Sequence, residues 1–321
     1  MQTPRRCRQP SAGQGEDDAD PSTSGKGRGA IASISRPGAD WPNRAASRTV
    51  RAAGLEWHVQ VAGNGPVLLM VHGTGAATHS WRGLLPLLAR HFTVVAPDLP
   101  GHGFTQAPAA ARLSLPGMAH SLRGLLTMLN LQPVAAVGHS AGAAILARMA
   151  LDGTLALRAL VSLNGVFIPL QGVAGQIFSP LARLLVGLPG LPQVFAWRAR
   201  NPAVVEQLLA ATGSTLDAEG VRWYGEVVRR PDHAASALGM MAHWDLRPLL
   251  SDLPCLSAPL LLIAGEADRT VPPSQSAEVQ RLVPGAALAT LPGLGHLAHE
   301  ERPAEVATLI EEFARQHGLL P

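Results

Sequence analysis

Gly138-His139-Ser140-Ala141-Gly142 follows the apolar run Val134–Val137 and opens the alanine-rich stretch Ala141–Leu151. A strand that ends in G-x-S-x-G and turns straight into a helix is the signature of a nucleophile elbow. The small residues have a steric reason. A serine pushed out of a tight turn needs glycines on both sides so that strand and helix can approach. On its own the pentapeptide is modest evidence, so its surroundings carry the argument.

Outward from the elbow, strand-like and helix-like runs alternate. Val67–Val71, Phe92–Ala96, Val134–Val137, Leu157–Leu163, Leu260–Ala264 and Ala286–Leu291 are continuous apolar runs, as expected of strands buried on both faces. Between them Ser80–Arg90, Pro116–Leu129, Ala141–Leu151, Ser274–Leu282 and Pro303–Gln316 read as helices. The alternation predicts an α/β fold, a mostly parallel sheet with helices on both faces. Val59-Gln60-Val61 and its neighbours are expected to form an early antiparallel hairpin.

The alternation stops between Val166 and about Trp244, and residues 167–247 are expected to be an inserted helical cap. From Ala159 to Ala182 there is no charge, but Pro169, Gly172, Gly175 and Pro180 break the stretch, which argues against a membrane span. Residues 41–166 and 248–321 then make the two parts of the core. Residues 1–40, rich in Gly, Ser, Pro and mixed charge, read as a disordered tail without the apolar run of a secretory signal.

A serine hydroxyl needs a base, and the base needs an orienting acid. The expected chain order is serine, acid, histidine. Asp268 follows the run Leu260–Ala264, and His296 follows Ala286–Leu291. Both fall just beyond strand C-terminal ends, as Ser140 does, and that edge of an open parallel sheet holds the ligand crevice. The rivals are Glu266 for the acid and His299 for the base. Asn164 occupies the other common acid position and cannot carry the charge. The backbone N–H groups of Ala141 and of Thr74, in His72-Gly73-Thr74-Gly75, are the candidate oxyanion donors. His139 is expected at the pocket floor, with Phe167 and Trp197 of the cap as further substrate-binding residues. His72 and His102 read as packed, structural histidines.

Composition excludes several chemistries. The chain has 321 residues, 47% hydrophobic and 15% charged, with a formal charge of +3. That is enough for a large core and too little positive charge for a nucleic-acid stripe. Lys26 is the only lysine among 26 basic residues and lies in the tail, so the folded part offers no Schiff-base lysine. Lys26 is followed by Gly27, with Asp20 where the first glycine of a phosphate loop belongs, so it is no Walker A site. His296-Leu-Ala-His299-Glu300 does not fit zinc-hydrolase spacings. Gly73-Thr-Gly75-Ala-Ala-Thr78 lacks the third glycine of a dinucleotide fingerprint. The expectation is therefore no cofactor and no metal. Cys7 and Cys255 cannot build a disulfide framework, so nothing demands an oxidising compartment. A cytoplasmic site, with peripheral contact at the inner membrane through the cap, is the expectation.

The set His72-Gly73-Thr74-Gly75, Asp98-Leu-Pro-Gly-His102-Gly103, Gly138–Gly142, Asp268 and His296 resembles the α/β-hydrolase superfamily over about residues 50–317. More narrowly, Asp40-Trp-Pro-Asn43, the segment His72–Phe104, Gly138–Ala144 and Ala242-His-Trp-Asp245 resemble the magnesium chelatase accessory proteins of bacteriochlorophyll biosynthesis. The wider resemblance implies hydrolysis of an ester or related acyl substrate by Ser140, His296 and Asp268. Serine at the elbow argues against the carboxylate nucleophile of dehalogenases and epoxide hydrolases. The narrower resemblance implies a role near magnesium insertion into protoporphyrin, with chelatase subunits as partners and an apolar acyl or tetrapyrrole-related molecule as substrate. Arg183, Arg198 and Arg200 could then pair with propionates or lipid phosphates. The competing expectation is a non-catalytic protein that binds porphyrin or the chelatase with an idle triad.

Overall fold

The computed structural model describes residues 36–169 and 190–321. The chain enters as a hairpin, β1 (Ser47–Ala52) and β2 (Leu55–Ala62). Its two-residue turn, Ala53-Gly54, has φ of 51° and 75°, the doubly left-handed geometry that matches strand twist. Then come β3 (Val67–Val71), α1 (Leu84–Leu88), β4 (Thr93–Pro97), α2 (Leu115–Leu129), β5 (Ala135–His139), α3 (Ala141–Leu151) and β6 (Ala159–Leu163). Five described helices follow: α4 (Leu191–Arg198), α5 (Pro202–Ala211), α6 (Ala218–Val228), α7 (Pro231–Ala242) and α8 (Arg247–Asp252). The chain closes with β7 (Leu260–Gly265), α9 (Pro273–Leu282), β8 (Ala287–Leu291), α10 (Ala298–Glu301) and α11 (Pro303–Gln316).

The eight strands make one sheet in the order β1-β2-β4-β3-β5-β6-β7-β8. β1, β2 and β4 are antiparallel neighbours, and from β4 to β8 every pairing is parallel. Two cores explain the apolar runs of the inner strands, whereas β8, expected to be buried on both faces, is an edge strand and is mostly half-buried or exposed. Leu69, Val71, Ala136, Leu160 and Leu262 face the layer that holds α2 and α3. Leu68, Met70, Val137, Val161 and Ile263 face the layer of α1 and α11. Alternate residues of each inner strand enter different cores, so most positions are apolar, with Ser162 of β6 a buried polar exception.

The expected strands and helices lie within two residues of those found, with one exception. Ser80–Arg90 is a 3-10 turn, Thr78–Trp81, followed by the short α1. Pro86 accounts for the break. Its ring would strike the carbonyl of Arg82, four residues back, if the helix ran on from Ser80. The tail expected over residues 1–40 falls mostly outside the described residues. From Trp41 the chain is anchored: the buried indole packs edge-on to Phe104 and Trp223 and donates to Thr78 Oγ1 at 3.2 Å. No helix among the described residues is long and apolar enough to cross a membrane.

The start of α3 is pressed against the end of β3. A Cβ at Gly142 would overlap the backbone carbonyl oxygen of Val71 and come within 2.7 Å of that of His72. Gly142→Ala is therefore expected to lower the unfolding free energy by about 3 kcal/mol or more, read from denaturant titration.

Candidate active site

β5 delivers Ser140 to the C-terminal edge of the sheet. Ser140 has φ 51° and ψ −118°, a conformation that costs an L-residue ~1–3 kcal/mol. The surroundings hold it there. Ser140 N–H donates to Leu163 C=O at 3.0 Å, and its carbonyl accepts from Ala143 and Val166, each at 3.2 Å. Glycine is obligatory at Gly138, where a Cβ would stand 2.5 Å from Ala143 N, and at Gly73, where it would stand 2.9 Å from Ser140 Cβ.

Asp268 lies in the turn after β7 and accepts four hydrogen bonds. Oδ1 accepts from Thr270 N–H at 2.7 Å and Val271 N–H at 2.9 Å. Oδ2 accepts from Asn164 Nδ2 and His296 Nδ1, each at 2.8 Å. Such an acceptor-only environment suits a carboxylate. Because His296 Nδ1–H donates to Asp268, Nε2 is left as the acceptor, and His296 shares one cavity with Ser140. His139 supports it from below. Its Nε2 bonds the His296 carbonyl at 3.0 Å, and the two rings lie 4.7 Å apart. Burial pushes His139 well below the usual histidine range, so it is neutral and donates.

The candidate oxyanion donors meet across the β3–α3 contact. Gly73–Ala76 is a turn closed by Ala76 N–H on Gly73 C=O at 3.2 Å, with φ 78° at Gly75. Thr74 N–H and Ala141 N–H make no hydrogen bond with another described residue, and both residues line the cavity.

The cavity measures about 350 Å³. Val166, Phe195, Leu208, Leu209, Ala237 and Trp244 supply much of its apolar wall, and no charged side chain lines it among the described residues. Two expected lining residues are elsewhere. Phe167 is buried in the core, with Cε2 2.9 Å from where a Gly165 Cβ would stand, and its neighbour Val166 reaches the cavity instead. Trp197 is 64% exposed. On α4 it lies about 200° around the helix from Phe195, which does line the cavity, so the two cannot face the same way. Arg198 and Arg200 are exposed and do not line the cavity, and Arg183 lies outside the described residues. His72 accepts Leu99 N–H at 2.9 Å and holds Gly73 C=O, a packed role, and His102 is wholly buried.

Three features escaped the sequence reading. Asn164, dismissed for lacking charge, donates to the candidate acid. Thr212 C=O, in the turn after α5, accepts Arg269 N–H at 3.1 Å and His296 N–H at 3.3 Å, so the stretch between β6 and β7 is tied to the loops of both Asp268 and His296. Tyr224 lines the cavity and donates to Glu300 Oε1 at 2.7 Å. Glu300 is buried, and burial pushes its carboxyl up to about 8. Burial also pushes His299 beside it down to about 3, so the pair is neutral at pH 7 and not an ion pair. Among the described residues no group of three His, Cys, Asp or Glu is placed to hold a metal ion.

The chain belongs to the α/β hydrolase fold family, whose sequence profile matches residues 66–303. It is 40% identical over 264 residues to the Rhodobacter capsulatus protein named magnesium-chelatase 30 kDa subunit, covering 82% of this chain and 92% of that one. It is 27% identical to the 2-hydroxy-6-oxo-2,4-heptadienoate hydrolase of Pseudomonas putida, covering 84% and 97% of the two chains. Among solved structures, an α/β hydrolase fold protein from Burkholderia ambifaria superposes with a TM-score of 0.68 at 25% identity over 83% of this chain and 97% of that one.

Glu300 gives a stability test with a definite sign. Its folded-state pKa is raised, so its contribution is complete below the ordinary carboxyl range and is lost as pH rises through about 8. Thermal unfolding from about pH 6 to about pH 9 should show a falling midpoint for wild type and a flatter profile for Glu300→Gln, which keeps an acceptor for Tyr224.

Proposed function

We propose that this chain is a serine hydrolase for an uncharged, largely apolar ester or related acyl substrate, working as an accessory to magnesium chelatase. The observation that carries the hydrolase reading is the Asp268–His296 hydrogen bond of 2.8 Å, on an imidazole that shares with the strained Ser140 a cavity lined by no charged side chain among the described residues. The pathway assignment rests on the likeness to the Rhodobacter protein.

In this reading His296 Nε2 takes the Ser140 proton as Oγ attacks the acyl carbonyl carbon. The carbonyl π pair moves onto oxygen, and Thr74 and Ala141 N–H groups stabilise that oxyanion. Asp268 holds the tautomer and offsets the imidazolium charge. The tetrahedral intermediate collapses, the C–O bond to the leaving group breaks, and His296 returns the proton to it. Water, deprotonated by His296, then splits the acyl-enzyme and restores Ser140. Residues 167–247 act as the cap over this chemistry, 41–166 and 248–321 as the core, and 1–40 as a tail. Phe195 and Leu208 supply the cap's side of the acyl site.

A fluorophosphonate probe tests the nucleophile. Wild type should be labelled on Ser140, and Ser140→Ala should lose both the label and p-nitrophenyl ester hydrolysis by roughly 10⁴-fold or more. No labelling of a folded wild type, with porphyrin or chelatase binding intact in Ser140→Ala, would sink the hydrolase reading in favour of a binding protein.

The cap's outer face supports contact with an anionic membrane from the cytoplasmic side. Val194 (53% exposed) and Trp197, three residues apart on α4, and Leu208 (42%), which also lines the cavity, are exposed apolar side chains, with Arg198 and Arg200 exposed close to Trp197 in the chain. Aromatic and aliphatic side chains flanked by arginine suit an interface with acidic headgroups. Flotation with phosphatidylglycerol vesicles should fall several-fold in the Trp197→Ser/Leu208→Ser variant. Equal flotation of variant and wild type would count against membrane contact.

A further inference from the structure

The turn that carries Thr74 is gripped by a helix from outside the sheet. His233, near the start of α7, is buried and spans two loops. Its Nδ1 accepts Gly103 N–H at 3.0 Å. That bond fixes the tautomer: the proton sits on Nε2, which donates to Gly75 C=O at 3.1 Å. Burial holds His233 well below the usual histidine range, which keeps this neutral form. Seven residues on, Met240 Sδ accepts the Thr74 hydroxyl at 3.4 Å. Two helical turns separate the pair, so both project from one face of α7. On that face a Cβ at Gly101 would overlap Ser236, so helix and loop have no slack between them.

Within the turn one backbone bond, Ala76 N–H on Gly73 C=O, closes the loop, and the same carbonyl accepts from His72 Nδ1 at 2.8 Å. Gly75, at φ 78° with open space around it, could otherwise rotate. The imidazole holds the carbonyl end of the Gly75–Ala76 peptide, whose N–H closes the turn on Gly73 C=O, and Gly73 C=O belongs to the peptide that carries Thr74 N–H. A donor misaimed by a few tenths of an ångström loses much of its effect on a developing oxyanion.

We infer that His233 is a positioning residue that holds the Gly73–Ala76 turn so that Thr74 N–H stays aimed at the acyl oxygen. The competence of the oxyanion hole therefore depends on how α7 is seated. The inference rests on the serine-hydrolase reading for its catalytic consequence, though not for its structural one.

The test pairs His233→Phe, which keeps a ring and removes both nitrogens, with His233→Gln, whose amide can donate to Gly75. Hydrogen–deuterium exchange of the full chain should show faster exchange in the segment 72–76 of His233→Phe, with β5 and α11 unchanged. On a p-nitrophenyl ester kcat should fall roughly 10- to 100-fold with KM within about twofold, and His233→Gln should recover most of the loss. Unchanged exchange in 72–76 overturns the inference, as does an unchanged kcat in an active protein. Exchange rising across the whole chain also overturns it, because His233 would then be general scaffolding. Should His233→Phe not fold, His233→Gln against His233→Ala gives the same comparison. A wild type inert to ester and fluorophosphonate would sink the hydrolase reading alone, and the exchange result would still decide the role of His233.

Discussion

The site depends on one steric constraint, the contact of the α3 N-terminus with the end of β3. Gly142 sits against the Val71 and His72 carbonyls, and Gly73 sits against Ser140 Cβ. That closeness puts the N–H of residue 141, on one element, beside the N–H of residue 74, on another. It also forces Ser140 into its unfavourable φ. The parallel pairing of β3, β5, β6, β7 and β8 then brings the loops after β7 and β8 to the same edge. Ser140 and the hydrogen-bonded Asp268–His296 pair thereby come to one edge of the sheet.

Electrostatics around the site are arranged by burial more than by charge. Asp268 is kept as an acceptor by four donors. Behind it His139, His299 and Glu300 are all driven toward their neutral forms. The cavity wall is likewise free of charge among the described residues. Among the described residues Ser140 and His296 thus share surroundings with little competing charge, a condition under which fixed backbone dipoles act strongly on any charge placed there.

Much of this was legible in the sequence, for physical reasons. Strands such as Val67–Val71 are buried on both faces, so they cannot hide their pattern. Ser140, Asp268 and His296 could be read because each follows such a strand in a fixed order, and the structure places all three at one edge. What stayed illegible depends on contacts between distant parts of the chain. Asn164 looks like a neutral loop residue until Asp268 is seen beside it, 104 positions away. His233 looks like a polar residue in a helix until its two backbone partners are known. Trp197 and Phe195 are both aromatic, and only the helical phase of α4 decides which turns inward. Pro86 was visible, yet its effect on α1 needed the helix register to be fixed first.

The carbonyl of Thr212 has a wider consequence. One oxygen on the segment between β6 and β7 receives amides from the loops of both Asp268 and His296. A replacement for that segment would have to restore an acceptor at this point, or both loops would lose a shared anchor. The stretch is thus constrained where it meets these two loops, a tie in which the exposed Trp197 takes no part.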